Sequence, residues 1–138
     1  NHYSLFINFK ECALNLEQLS AILDFLPFAL TFVDKNDKVA YFGGGAAIFP
    51  HSKNAIGNSV FSCHTPESKP IVEKIFQDLH SGKKKVVTYW FKPKMLGRML
   101  YLRYYAVHNK DGKYLGCLEV AEDITDIQKL SGQKKTEE

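Results

Sequence analysis

The stretch RMLYLRYYAVHNKDGKYLGCLEVAEDIT, Arg98 to Thr125, decides the fold of this chain. It contains two runs of β-forming residues on either side of Asn109-Lys110-Asp111-Gly112, a combination typical of a tight turn between antiparallel strands. The first run repeats with the period of two that a half-buried strand requires. One face would carry Leu100, Leu102, Tyr104 and Ala106, and the other Met99, Tyr101, Arg103 and Tyr105. The stretch therefore predicts a β-hairpin with one apolar face.

Similar patterns on the N-terminal side of this hairpin predict three more strands. KKVVTYWFKP, residues 84–93, alternates in the same way and is joined to the hairpin by the short connection KMLG. The last three strands must therefore be antiparallel. FALTFVDKNDKVAYF, residues 28–42, contains two β-rich runs separated by the turn-forming residues Asp34-Lys35-Asn36-Asp37,. This segment predicts a second hairpin, and three glycines end its second strand.

The first of two helical patterns lies at residues 14–27, LNLEQLSAILDFLP, where leucine and isoleucine recur at helical spacing. Asn15 is a favourable N-terminal cap, and Gln18 stands three residues later, as in a capping box. Pro27 ends the pattern because proline cannot continue a helix. The segment predicts a short amphipathic helix before the first strand.

The second helical pattern is ESKPIVEKIFQDLHSG, residues 67–82. Proline is tolerated only in the first turn of a helix, so we expect a tight turn at Pro66 and a regular helix from about Lys69 or Pro70. Gly82 is the expected C-terminal stop. The predicted apolar face consists of Ile71, Val72, Ile75, Phe76 and Leu79.

The order of these elements predicts an α+β domain with a five-stranded antiparallel sheet and helices on one face. A further helix after Thr125 is left open. We expect an N-terminal extension at 1–14, the domain itself at 15–130 and a flexible polar tail at 131–138,. The chain begins with Asn rather than Met, which indicates a fragment of a longer protein.

Composition limits the possible functions. The 138 residues, 45% hydrophobic and 24% charged, suit one globular domain, and a net charge of +3 is too small to predict direct nucleic-acid binding,. No apolar run approaches the roughly 20 residues of a membrane-spanning helix, so no membrane partner is expected. Three widely spaced cysteines and no recognisable signal peptide favour a reducing, cytoplasmic setting,.

Two segments carry a resemblance to a known family. LPFALTFVDKNDKVAYF, Leu26 to Phe42, is similar to the opening hairpin of PAS domains, the sensor modules of bacterial signalling proteins. DGKYLGCLEVAEDITDIQKL, Asp111 to Leu130, resembles their final strand with its Asp-Ile-Thr exit into a connector helix. Residues 56–84 are more narrowly similar to the PAS domain of bacterial proteins that also carry DUF438 and hemerythrin-like regions.

The resemblance implies a cavity between the concave face of the sheet and the helical segment. Different family members hold a small molecule, haem or flavin there, and the signal leaves through the terminal helices. We therefore expect a sensory domain that binds a small-molecule ligand or haem, forms a homodimer and acts on other domains of a longer chain. The alternative is a ligand-free dimerisation or protein-interaction module.

Four residues are candidates for lining such a cavity. The rings of Tyr41, Trp90 and Tyr101 would line it if their side of each strand faces inward. Arg103, if it also points inward, could hold a carboxylate or a haem propionate. An outward Arg103 laid over a tyrosine ring is the other interpretation.

Cys63 and His64 stand side by side immediately before the second helix. A neutral imidazole at the mouth of an apolar cavity suits iron or zinc, so His64 is a candidate axial haem ligand or metal ligand. A full metal site needs three or four ligands, and only His51 is near in sequence. Alternatively, Cys63 packs as a small hydrophobe and His64 bonds to the backbone and orients the turn. Thiol redox chemistry at Cys63 is a third possibility.

Flavin photochemistry and enzyme activity are not favoured. PAS domains that form a thiol adduct with flavin place cysteine three residues after the glycine of an Ile-Gly pair, and here Val60 stands at that distance from Gly57. No Ser-His-Asp order, paired-carboxylate signature or HExxH motif occurs, so we expect no enzyme. The acidic residues Glu119, Glu122, Asp123 and Asp126 are interpreted as serving packing and solvation near the domain exit.

Overall fold

The structure is a computed structural model, which describes residues 12–49 and 54–137. The side chain of Cys63 is not part of this description. Two helices, five strands and two short 3-10 turns follow one another in the described chain. They are α1 (Leu16–Phe25), β1 (Ala29–Asp34), β2 (Val39–Gly43), a 3-10 turn (Val60–Cys63), α2 (Lys69–His80), β3 (Val86–Phe91), β4 (Leu100–His108), β5 (Tyr114–Asp123) and a 3-10 turn (Ile127–Lys129).

The five strands form one sheet in the order β2-β1-β5-β4-β3, and all of its neighbouring strands are antiparallel. The predicted fold class, α+β with a five-stranded antiparallel sheet, is confirmed. Both predicted hairpins are present, and the sheet is completed where β1 pairs along β5, from Ala29 opposite Ala121 to Asp34 opposite Gly116. This pairing joins the two ends of the domain and places β5 at the centre of the sheet.

One face of the sheet is covered by α2 and by the 3-10 turn that precedes it. Because alternate residues of a strand share a face, β4 places its even-numbered residues under this cover. Burial of these apolar side chains is the main source of stability in such a layer. The core consists of Val33, Val39, Val60, Val72, Ile75, Phe76, Leu79, Leu100, Leu102, Tyr104, Cys117 and Ala121.

Helix α1 begins with the predicted capping box. The Asn15 Oδ1 accepts a hydrogen bond of 2.8 Å from the Gln18 amide, and the Gln18 Oε1 accepts one of 3.0 Å from the Asn15 amide. The helix ends at Phe25, two residues before Pro27. None of its residues, all of which are described, is buried. Leu23 of α1 and Leu26, which follows its end, line a cavity on the face of the sheet opposite α2.

Helix α2 begins at Lys69, as predicted, with Pro70 in its first turn, where no intrahelical donor is needed,. Gly82 follows its end with a φ of 81°, a conformation that glycine adopts without steric cost,. The predicted apolar face is correct except for Ile71, which is exposed. Asp78 occupies a buried position instead, and it accepts a 2.8 Å hydrogen bond from the Lys74 ammonium.

The Asp-Ile-Thr sequence at the end of β5 ties this strand to the start of β4. The Asp123 Oδ1 accepts hydrogen bonds from the amide and hydroxyl of Thr125, at 3.0 and 2.7 Å. The Thr125 hydroxyl oxygen accepts a bond of 2.8 Å from the Met99 amide, and the Arg98 Nε donates one of 2.7 Å to Asp123. After Thr125, where the sequence did not decide whether a further helix forms, the structure has a single 3-10 turn.

This network predicts that acid weakens the fold. The bond from Arg98, followed by the bonds from Thr125, lowers the pKa of Asp123 to about 2 from an ordinary value of 3.8. A carboxyl whose pKa is depressed by folding stabilises the native state above its unfolded pKa, and that contribution is lost as pH falls from about 4 to about 2. Asp123→Asn should reduce the loss of stability in acid, measured as the difference between urea midpoints at the two pH values.

The matched control is Asp111→Asn, which changes an exposed carboxyl in the β4–β5 turn. It should keep the acid sensitivity of the parent protein. An equal loss of stability from pH 4 to pH 2 in the parent and in Asp123→Asn would contradict the assignment.

Candidate functional site

A polar cluster lies in the layer between the sheet and its helical cover. On β5, Cys117 and Ala121 are buried in the core, and Glu119 lies midway between them on the same face. Tyr104 stands opposite Glu119 on β4. His64, at the end of the 3-10 turn before α2, is close enough for its charge to act on the Glu119 carboxyl. We name Glu119, Tyr104 and His64 the buried polar cluster.

Burial dominates the electrostatics of this cluster. It raises the pKa of the Glu119 carboxyl, while a hydrogen bond from the Tyr104 hydroxyl and the charge of His64 act in the opposite direction. Burial also raises the pKa of Tyr104, so its hydroxyl remains a proton donor. Glu119 can therefore exchange a proton nearer to neutral pH than an exposed glutamate, and its ionised form accepts a hydrogen bond from Tyr104,.

His64 is half-buried and is oriented by the backbone. Its Nδ1 lies 3.0 Å from the carbonyl oxygen of Val60. Since a carbonyl oxygen can only accept, Nδ1 carries the proton, and in the neutral ring Nε2 keeps its lone pair. This contact agrees with the interpretation that His64 orients the turn into α2, and its role as a haem or metal ligand stays a prediction. The side chain of Cys63 and the whole of His51 lie outside the described residues.

The other four predicted site residues do not face the helical cover. Leu100, Leu102 and Tyr104 are buried beneath α2, so the residues between them, Tyr101 and Arg103, face the opposite side of the sheet. Trp90 pairs with Tyr101 and is 66% exposed. Tyr41 lines a cavity with Arg103, on that same side. The expectation that these residues line the space under α2 depended on which alternation faces inward, and it is corrected here because the opposite alternation faces α2.

Arg103 lies over an aromatic ring, in the outward arrangement. Its guanidinium carbon is 4.8 Å from the centroid of the Tyr101 ring, and one of its terminal nitrogens donates a 2.9 Å bond to Glu122. The Arg103 Nε is buried and has no hydrogen-bond partner within the described chain. Arg103 is the charged residue in an otherwise apolar cavity of about 420 Å³, whose other lining residues are Leu23, Leu26, Phe28, Leu30, Tyr41, Leu118 and Val120.

Two further findings concern metals and membranes. In the parts of the chain that the structure describes, no group of three His, Cys, Asp or Glu residues is arranged to hold a metal ion. Across the same residues, neither helix has the length and apolar character needed to cross a bilayer.

Sequence reasoning did not select Glu119 or Tyr104, although the signal was present. Glu119 lies two residues from both Cys117 and Ala121 and therefore shares their face of β5. The acidic residues that follow it favoured the interpretation that this segment is solvated at the end of the domain. Tyr104 belonged to the alternation with Leu100 and Leu102, and no role was predicted for it. A charged residue at a position where the strand pattern requires an apolar one indicates a buried polar group, and Glu119 is such a residue,.

The fold and the site define a small α+β module whose sheet is covered on one face by helices, with a partly buried carboxyl beneath the cover. A profile of the PAS domain family matches residues 19–125. The chain belongs to the PAS domain family. Among curated proteins, none matches the chain significantly.

Three solved structures place this chain among known folds. A C-terminal domain from Streptococcus mutans shares 32% identity, with 89% of this chain and 95% of that chain covered and a TM-score of 0.84. A PAS domain from Colwellia psychrerythraea shares 19% identity over 80% and 98%, with a TM-score of 0.58. A sensory box sensor histidine kinase from Vibrio cholerae shares 21% over 78% and 89%, with a TM-score of 0.53. The last two similarities concern the fold alone.

Proposed function

We propose that this chain is the sensory PAS domain of a longer cytoplasmic bacterial regulator, and that it binds a small polar molecule beside the buried polar cluster. The observation that carries the proposal is the partly buried Glu119 carboxyl between the sheet and α2, which accepts a hydrogen bond from Tyr104 and is affected by the charge of His64. Removing an ionised carboxyl from water costs free energy, and carboxyls in this position are concentrated at binding sites. The role is binding and signalling without a catalytic step of its own.

The chemistry of the cluster indicates the ligand class. An ionised Glu119 is an acceptor, and in the neutral His64 ring Nε2 is a second acceptor,. A ligand with two hydrogen-bond donors, such as a small amide, amine or polyol, matches both groups. Such a ligand would hold Glu119 ionised and would compete with Tyr104 for its oxygens.

Haem is the second candidate ligand. A haem iron is commonly held by one imidazole whose other nitrogen is fixed by a hydrogen bond, and His64 has this arrangement through Val60,. His64 would hold the iron, and the group would supply redox or gas-binding chemistry. This chain's own contribution would be the orientation of the ring by the turn before α2.

Transmission of the signal would follow β5. Glu119 lies on this strand, which ends at Asp123 in the network with Thr125 and Arg98. A ligand that binds better to one of two arrangements of the layer shifts the population toward it, by no more than its difference in affinity. The segments before Leu26 and after Thr125 would carry that shift to neighbouring domains. Association with DUF438 and hemerythrin-like regions in the longer chain is part of the same proposal.

Absorption spectroscopy and mass spectrometry of the purified protein test the ligand. We expect a co-purifying small molecule that is lost in Glu119→Gln, which removes the ionised acceptor at constant side-chain size. For haem, we expect a Soret band that His64→Ala abolishes. Glu67→Gln, at an exposed position before α2, is the matched control and should keep the ligand. A colourless protein with no bound molecule, or a ligand retained equally in all variants, would contradict the proposal.

A ligand-free dimerisation module is the second candidate function, and α1 favours it. The ring of Phe25 is 86% exposed, Ile22 is also exposed, and Trp90 is exposed on the opposite face from α2. A second copy that covered these side chains would remove apolar surface from water. Sedimentation of the purified protein tests this second function. A mass that stays monomeric at all concentrations would eliminate the dimerisation module.

A further inference from the structure

A second cavity, of about 260 Å³, lies between α2, the first 3-10 turn and the β1–β2 turn, and it has no lining residue in common with the buried polar cluster. Its lining combines acidic, polar and aromatic groups, in contrast to the apolar cavity beside α1. The residues that line it are Asp37, Phe61, Glu73, Phe76, Gln77 and His80. We name it the turn cavity.

Asp37 has a carboxyl oxygen in this lining that lacks a hydrogen-bond partner among the described residues. This oxygen, Oδ1, is buried. Burial raises the pKa of this carboxyl, and the charge of His80 opposes the shift. A buried acceptor without a donor costs free energy, so a ligand that brings a donor or a positive charge would relieve that cost.

The backbone holds Asp37 at the edge of the cavity. Its amide donates a 3.0 Å bond to the carbonyl oxygen of Asp34, and its own carbonyl accepts one of 2.8 Å from the Val60 amide. Its φ of 61° lies in the left-handed region, which aspartate and asparagine tolerate better than most residues,. The carboxyl is therefore positioned by contacts on both sides of the turn.

Two aromatic rings complete the cavity. Phe61 and Phe76 both line it, with ring centroids 5.7 Å apart in an edge-to-face arrangement. The face of a phenylalanine ring attracts a cation, most strongly where water is excluded. Glu73 adds a second carboxylate to the same lining. Carboxylates beside aromatic rings recognise a positively charged organic group and repel anions.

The arrangement favours an organic cation over a metal ion. Asp37, Glu73 and His80 all line the turn cavity, yet no three such groups in the described part of the chain are close enough to coordinate one ion. An organic molecule can span the cavity and contact groups that are too far apart to coordinate a single ion. At about 30 Å³ for each water-sized group, the volume holds roughly nine non-hydrogen atoms.

We propose that the turn cavity binds a small organic ammonium compound, with its cationic group held between the carboxylates of Asp37 and Glu73 and the rings of Phe61 and Phe76. Gln77 supplies a neutral hydrogen-bonding group for the rest of the molecule. Asp37 belongs to the β1–β2 turn and Glu73 to α2. A bound cation that contacts both carboxylates would therefore stabilise the packing of α2 against the first hairpin.

Titration calorimetry with ethanolamine, choline and tetramethylammonium tests this site on the purified chain. We expect at least one of these compounds to bind and to raise the thermal midpoint, whereas magnesium chloride should not. Asp37→Asn and Glu73→Gln should each weaken binding by about tenfold or more, the loss expected for one charge contact. Asparagine is accepted in the left-handed region, so the first variant should keep the turn.

Two controls separate this site from the buried polar cluster. Glu67→Gln lies outside the cavity and should bind the compounds as the parent protein does. Glu119→Gln should also leave ammonium binding unchanged, even if it removes the ligand of the proposed sensory site. No binding of any of the three compounds, equal stabilisation by magnesium, or unchanged affinity in both Asp37→Asn and Glu73→Gln would overturn the proposal.

Discussion

Leu100→Ala is expected to lower the free energy of unfolding by about 2 to 5 kcal/mol, the range for a leucine removed from a packed core. Leu100 is 0% exposed and lies in the core beneath α2. Its strand pairs with β3 on one side and β5 on the other, at Phe91 and Asp123, so the backbone around the deletion is held and cannot collapse into the cavity. Urea denaturation followed by circular dichroism measures the loss.

Leu115→Ala is the matched control for this substitution. Leu115 lies on β5 and is 41% exposed, so the same change of side chain removes far less buried surface. We expect a loss of less than about 1 kcal/mol, within the range of most surface substitutions. Equal losses in the two variants would show that the layer beneath α2 is not the core. Because a domain of this size is stable by only about 5–15 kcal/mol, Leu100→Ala should also reduce the yield of folded protein.

Gly116→Ala is the second substitution with a large expected effect. Gly116 has a φ of 150°, which side chains rarely adopt, and it lies in β5 opposite Asp34 of β1. A β-carbon at this position would overlap the carbonyl oxygen of Val33 and crowd the ring of Phe32. Backbone strain and overpacking together should cost about 3 to 5 kcal/mol. The thermal midpoint should fall sharply, or the chain should not fold.

Gly112→Ala tests the strain without the overlap. Gly112 has a φ of 83° in the β4–β5 turn, and a β-carbon there would meet no other atom within 4 Å. The expected cost is therefore only that of the left-handed backbone, about 1 to 2 kcal/mol. If Gly116→Ala proved no more destabilising than Gly112→Ala, the close approach of β5 to β1 would not be a feature of the protein in solution.

The elements themselves were predictable because their signals are local. The capping pair Asn15 and Gln18, the turn after Asp34 and the proline in the first turn of α2 act over four residues or fewer. Each element was therefore assigned from neighbouring residues alone. Ile71 is the exception on α2, because which residues of a helix are buried depends on the element that it contacts.

The site was only partly predictable because the two faces of each strand look alike in the sequence. Both alternations of β4 contain large side chains, and Tyr101 and Arg103 were therefore as plausible beneath the helices as Tyr104. His64 was a candidate because of its position before α2, and its role as a ligand stays a prediction. Glu119, whose carboxyl the charge of His64 affects, is more than 50 positions away along the chain. Contacts over such separations leave no mark in a single sequence.

The sequence by itself determined the class of the fold, the five strands, the two helices and the membership of Leu100 in an apolar alternation. Period, caps and turn residues express this information within a few positions, where steric and hydrogen-bonding preferences act directly. Only the tertiary structure decided that β1 pairs with β5 and that α2 covers the face bearing Glu119. The pairing of the strands and the face that α2 covers depend on the free energy of burying whole faces against one another. This free energy arises only in the assembled layer and cannot be assigned to one segment.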